Sequence, residues 1–374
     1  MRRQFPALLC AALLLLLLSL TGCGSLFEKE YLSVSPYEDQ DSPGASDTTE
    51  IHTYGSLLRA LNAMVAQYET DRVLVFADYD GIIADDLAKA TWELRSNTAL
   101  GAYCVRSIDY ETEQVVAYCE ADVTITYKRT ADEVKSIYHA QTRGALTESI
   151  VDALRAQRTK FAVQMNTGVL DEADVSALVQ LACLNHPLLV VDVPAVDITM
   201  YTGGTNQKIF EVTLRYSITQ SEIATRRAAL SEAVQQLAGA VEAHREDTAL
   251  LACDAVARVC TADGAAGGTA YEALVLGAAD SRGLAMAYKA VCDALDVPCE
   301  VVDGQLDSAE HDWNIVEIAG SRYHADLTGY FGTLWLQPDS DIWGRYWWNT
   351  EEYSACTSPA FSWQPGQALA EPDA

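Results

Sequence analysis

The sequence predicts an α+β protein: two duplicated small α-β-α-β-β modules, followed by a third α+β domain. Three observations lead there. An alternating strand followed by T-x-x-E occurs twice, at Val123–Val134 and Val212–Ile223, and the two copies align without gaps. Across residues 51–217, runs with strand period alternate with runs of helix period. From Tyr271 to Asp326, a helix start, a strand carrying His311 and a return strand carrying Asp326 follow one another.

Residues 1–22 read as a targeting segment. Arg2 and Arg3 precede an apolar run, Ala7 to Leu20, that is short for a membrane span. Leu20-Thr21-Gly22-Cys23 resembles the lipobox of bacterial lipoproteins, which implies that Cys23 carries acyl chains. Such chains would hold the protein to the extracytoplasmic face of a cell membrane without a spanning helix. Residues 23–50 are polar, acidic and rich in Ser, Pro and Gly. They read as a flexible tether of roughly 30 Å average span.

The first module is expected over 51–129: a helix near 53–66, a strand 72–78, a helix 83–95, and strands 101–109 and 114–127. The second, 130–218, repeats the order with helices in 130–157, a strand 160–165, a helix 171–184, and strands 196–202 and 207–217. Gly203-Gly204-Thr205-Asn206 would turn the last hairpin. The T-x-x-E runs at Thr130 and Thr219 read as capping boxes, in which hydroxyl and carboxylate each accept a free helical amide. Thr219 opens a connecting helix over 219–247, with Ile223, Leu230, Val234, Leu237 and Val241 on its apolar stripe. Asp247 or Thr248 would cap the next helix, inside a final domain of 248–374.

Asp78-Tyr79-Asp80-Gly81 follows an apolar strand and resembles the first motif of haloacid-dehalogenase-type phosphatases, with Thr167 in place for a second. No partner Lys or later acidic pair follows in a matching context. An exposed turn is the plainer reading.

A net charge of −28 argues against nucleic-acid partners and against electrostatic adhesion to anionic lipid. Cys10 and Cys23 belong to the leader and its junction, which leaves eight of the ten cysteines. None has metal-ligand spacing, and the sequence calls for neither metal nor cofactor. Cys104 and Cys119 could face each other across a hairpin, and Cys292 and Cys299 flank a helix-to-strand turn. Cys292 shares a helical face with Leu284, Tyr288 and Leu295, as a small buried hydrophobe would.

Ser281 stands where the helix after Gly277 begins. A side chain there meets free amides and the positive end of the helix dipole. A Cys would gain a thiolate from that setting. A Ser gains only the hydrogen-bond donors and needs a base, for which His311 and Asp326 are placed. The bland alternatives are a helix cap for Ser281 and a solvated strand end for His311.

Together these residues resemble the core of the transglutaminase-like superfamily. Gly277, Gly283 and Ala285 match its G-x-x-x-C-x-G-x-A, His311-Asp312-Trp313-Asn314 its H-x-W-N, and Tyr323 to Asp326 its return strand. The resemblance covers roughly 248–330 and implies a papain-like α+β fold. Its Cys-His-Asp triad works through an acyl-enzyme. It maps His311 onto the base, Asp326 onto its orienter and Ser281 onto the nucleophile, with Trp313, Asn314 and Tyr323 as binding residues. No thiol replaces the missing one: Cys292 lies roughly 16 Å along the same helix. The expectation is a membrane-anchored surface protein that binds an envelope peptide or protein without turnover. The alternative is a serine-dependent acyl transferase or amidase at Ser281-His311-Asp326. Five of the seven Trp fall after this site. They read as a C-terminal wrap, or as a stacking wall for peptide or glycan.

Overall fold

The duplicated run folds into two four-stranded sheets of the same topology. The computed structural model describes residues 48–166, 169–204, 206–241, 247–328 and 334–363, all within one unit that begins at Thr48. Cys23, Thr167 and Thr205 lie outside the described residues.

The first sheet comprises β1 (Thr48–Glu50), β2 (Asp71–Phe76), β3 (Val105–Val115) and β4 (Tyr118–Tyr127), in the order β1-β2-β4-β3. Helices α1 (Tyr54–Gln67), α2 (Ile83–Asn97) and α3 (Ala99–Cys104) complete the module. After α4 (Ala131–Lys135) the second sheet uses β5 (Tyr138–Ala140), β6 (Lys160–Met165), β7 (Ala195–Thr202) and β8 (Lys208–Arg215), in the order β5-β6-β8-β7. Its helices are α5 (Arg143–Arg155) and α6 (Glu172–Asn185). In both sheets the first pair is parallel and the others antiparallel. Each module is therefore β-α-β-α-β-β, one strand longer than expected. The extra strands are three-residue edges, too short to show periodicity. Residues 48–50, expected as tether, form one of them. Residues 101–104, expected as strand, form the end of α3. Thr98 turns the chain there, its hydroxyl accepting from Gly101 N–H at 3.0 Å.

Caps explain where helices start. Thr130 and Glu133 make the full reciprocal capping box, worth about 1 kcal/mol. Thr219 makes only half of one: its hydroxyl accepts from Glu222 N–H, while the Glu222 carboxylate turns to Arg226. Asp78 and Asp80 are exposed on a turn, with Asp78 at φ 48°. Their strand, β2, is flanked by one parallel and one antiparallel neighbour. The structure does not build a phosphatase centre around them.

The chain continues through α7 (Gln220–Ala240), α8 (Thr248–Val259), β9 (Thr261–Ala262), a π turn Glu272–Leu276, β10 (Ala278–Ala279) and α9 (Ser281–Ala294). Asp247 precedes α8, but its side chain makes no capping bond. A six-stranded sheet follows: β11 (Cys299–Leu306), β12 (Ala309–Ile318), β13 (Ser321–Ala325), β14 (Leu334–Gln337), β15 (Tyr346–Trp348) and β16 (Phe361–Trp363). Its order is β15-β11-β12-β13-β14-β16, and one turn of helix, α10 (Asp339–Ile342), precedes β15.

The first module has its own core around Leu57, Leu61, Leu74 and Leu94. A second core runs unbroken from the second sheet (Val163, Phe210) through α6 (Leu178, Val179) to α9 and the face of β12. Helix α9 is thus apolar on nearly all sides, as a helix between two layers must be. The eight cysteines among the described residues are free and buried. Cys104 and Cys119 do not pair across the hairpin: Cys104 ends α3, and Cys119 lies opposite Gln114. Burial pushes the Cys104, Cys183, Cys253 and Cys356 thiols up to about 12, which makes them packing groups, not nucleophiles.

Candidate functional site

The site forms where α9 meets β12 and the end of β13. Gly277, at φ +85°, lets the π turn reverse into β10. Gly283 lets the first turn of α9 press against the preceding loop: a Cβ there would lie 2.6 Å from Ala279 Cβ and 2.9 Å from Thr269 O. Asp280, not Ser281, is the helix cap. Its carboxylate accepts from Gly283 N–H at 2.9 Å, and Ser281 is the first helical residue.

The hairpin between β12 and β13 turns on Ala319 (φ 49°) and Gly320 (φ 77°), with Ile318 paired to Ser321. That two-residue turn has left-handed backbone at both positions and fixes the register. Asn314 falls opposite Ala325 at the end of the paired region; three residues beyond it on β12 and one beyond it on β13, His311 Nε2 meets Asp326 Oδ2 at 2.7 Å. Asp326 is buried. Burial alone would raise its carboxyl, but hydrogen bonds from His311, Thr328 and Tyr346 hold it below the ordinary carboxylate range. Thr328 donates its N–H (2.8 Å) and hydroxyl (2.6 Å) to Oδ1, and Tyr346 donates its hydroxyl to Oδ2 at 2.7 Å. An ionised Asp326 fixes the proton on Nε2 and leaves Nδ1 of His311 as the ring's basic atom.

Ser281, His311 and Thr328 line one open cleft of ≈ 390 Å³ with Asp263, Asp280 and Glu310. Ser281 Oγ accepts from Asp312 N–H at 3.3 Å. Among the described residues it makes no hydrogen bond to His311. The structure thus brings Ser281 and His311 to one cleft, with Asp326 bonded to His311 and lining a second cavity, and it engages Ser281 elsewhere. Among the described residues the amides of Ser281 and Arg282 make no hydrogen bond within the first helical turn, and Ser281 lines the cleft.

The expected binding residues divide. Trp313 is buried, donates Nε1–H to His324 Nδ1 at 2.9 Å, and lines a different cavity from Ser281. Asn314 and Tyr323 lie in buried positions. Asn314 is fully buried and clips β12 to α9, donating Nδ2–H to Ala285 O at 3.0 Å. Tyr323 is buried within β13, and neither residue lines the Ser281 cleft or the cavity beside Trp313. An inward-facing strand position is as good a packing site as a binding site, and alternation alone cannot separate the two.

Sequence reasoning missed Thr328, Tyr346 and Asp312. Thr328 carries a weak local signal, since a hydroxyl two residues after an Asp commonly turns back onto it. Tyr346 carries none, being 20 residues on in a strand that joins the far edge of the sheet. Asp312 lies under α9, where burial pushes its carboxyl up to about 6 despite the bond to Arg282 Nε at 3.2 Å.

His324, Asp339 and Cys356 converge closely enough to hold a cation. Their hydrogen bonds argue for a latch. The indole of Trp313 can only donate, so His324 Nδ1 accepts and Nε2 carries the proton, which it gives to Asp339 Oδ1 at 2.8 Å. A cation at Nε2 would have to strip the ring's only proton. The Cys356 N–H also donates to that Oδ1, at 3.1 Å.

No family model and no curated protein matches the chain. Among solved structures, a TGase aligns at 13% identity and TM-score 0.26, covering 62% of this chain and 64% of its own. This chain therefore spans less than two thirds of that protein. A candidate cysteine protease from Cytophaga hutchinsonii aligns at 12% identity and TM-score 0.24, covering 47% and 78%. A candidate protease from Parabacteroides distasonis aligns at 9% and TM-score 0.21, covering 71% and 62%. TM-scores this low give no weight to a shared activity.

Proposed function

We propose that this chain is a lipoprotein, anchored through acyl chains on Cys23 to the extracytoplasmic face of a membrane. Its C-terminal part is a transglutaminase-like domain that binds an envelope peptide or protein without turning it over. No helix among the described residues is long and apolar enough to cross a membrane.

The observation that carries the non-catalytic reading is the state of Ser281. Its oxygen takes the Asp312 amide, with no hydrogen bond to His311 among the described residues. The Asp280 carboxylate beside it, at the head of α9, opposes an alkoxide and uses one of the helix's free amides. The same cleft suits peptide binding. The first turn of α9 opens on it at Ser281, and Asp263, Asp280 and Glu310 favour a basic side chain. Acyl-reactive serine probes, esters and amides alike, are expected to leave the protein unlabelled. Labelling that disappears in Ser281→Ala would overturn this reading.

The specific observation favouring the second reading, a serine-dependent acyl transferase or amidase, is the intact His311–Asp326 pair with Nδ1 of His311 free to act as base. The same labelling experiment decides between them. Anchoring is tested separately: Cys23→Ser should abolish incorporation of radiolabelled palmitate and release the protein from membranes.

A further inference from the structure

A second cavity of ≈ 200 Å³, which shares no lining residue with the Ser281 cleft, is lined by Trp313, Asp326, Gln337, Asp341, Arg345 and Tyr346 among others. We propose that it is a binding site for a neutral carbohydrate.

The rings of Trp313, His324 and Tyr346 wall the cavity, and its other polar groups are planar: an amide, two carboxylates and a guanidinium. Such groups suit vicinal hydroxyls, which donate and accept side by side. The amide of Gln337 makes no hydrogen bond among the described residues and is half-buried. An anionic ligand would meet the carboxylates of Asp326 and Asp341, while Arg345 is already paired with Asp307 at 2.8 Å. A ligand without net charge avoids both conflicts.

The rim supplies the second observation. Trp343 lies between two lining residues, Ile342 and Arg345, and is 56% exposed; Trp347 is 49% exposed. Their ring centroids are 5.6 Å apart. Two indoles left half in water form a stacking platform for the C–H face of a sugar, whose hydroxyl edge then reaches the polar groups inside. A purely apolar occupant would leave the half-buried Gln337 amide without a partner among the described residues.

The test titrates the full chain with maltohexaose, cellohexaose, chitohexaose and mannohexaose, read by intrinsic Trp fluorescence and by calorimetry. At least one is expected to bind saturably. Trp343→Ala and Gln337→Ala should each weaken it about tenfold, the factor that about 1.4 kcal/mol carries. Trp92→Ala, which removes an exposed Trp on α2, should change nothing. Ser281→Ala should also change nothing, which separates this site from the cleft. Absence of saturation by all four sugars overturns the proposal, as does binding that persists unaltered in both Trp343→Ala and Gln337→Ala.

Discussion

Asp326 takes four hydrogen bonds from three residues that the chain delivers by separate routes: His311 from β12, Thr328 from its own turn and Tyr346 from the sheet edge. Because those donors hold its carboxyl low, Asp326 adds stability above its unfolded pKa and loses it as pH falls through its lower folded value. Tyr346→Phe should therefore cost about 1.5–3 kcal/mol near neutrality, as a hydrogen bond to a charged group does, and less in acid. Urea melts of variant and wild type at pH 7 and pH 3 check this; an equal loss at both would mean Tyr346 acts by packing. Asp312 slopes the other way. With its carboxyl raised to about 6 by burial, its contribution is full below the unfolded value and is lost as pH rises through about 6. Asp312→Asn should gain on wild type between pH 4 and pH 8 by at most about 3 kcal/mol, at 1.36 kcal/mol per unit. A constant difference across that range would show that Asp312 stays ionised throughout.

At the scale of the element, α9 decides what position 281 can do. A Ser281→Cys variant samples the helix end and the His311–Asp326 pair through one thiol, read by the pH dependence of iodoacetamide alkylation. Asp280→Asn in that background keeps the cap and removes the charge, so the midpoint should fall. Asp326→Asn should raise it, because the imidazolium loses its counter-charge. Midpoints that stay put in both would mean the thiol senses neither group. Gly283→Ala should cost about 1–3 kcal/mol, the usual price of overpacking, because Ala279 Cβ and Thr269 O leave no room for a Cβ; thermal melts measure it. Much of this element was legible. The apolar stripe of α9 and the approach of His311 to Asp326 both follow from local pattern. The cap shifted by one residue, to Asp280, because Asp and Ser are equally good caps and only the backbone distinguishes them.

At the scale of the molecule, the duplication was readable because strand 4 and the following capping residues recur with the same spacing. The edge strands β1 and β5 were not, since three residues carry no period. Tyr346 was invisible for a different reason: its place is fixed by β15 pairing with β11, a contact set by long-range packing. Long-range packing also sets how the chain divides. The second module and the C-terminal sheet share one apolar core through α6 and α9, whereas the first module's core takes Val134, Ile137, Ala162, Ile209 and Tyr201 from the second module. A fragment of residues 130–374 should therefore keep a single cooperative transition in guanidinium, with fluorescence and far-UV circular dichroism superimposing. A fragment of residues 219–374 loses Leu178, Val179 and Phe210 from that shared core. It should bind a hydrophobic dye and melt without cooperativity. A shorter fragment that folds tightly and leaves the dye free would mean that the C-terminal sheet and α9 close their own core, and that the second module merely rests against it.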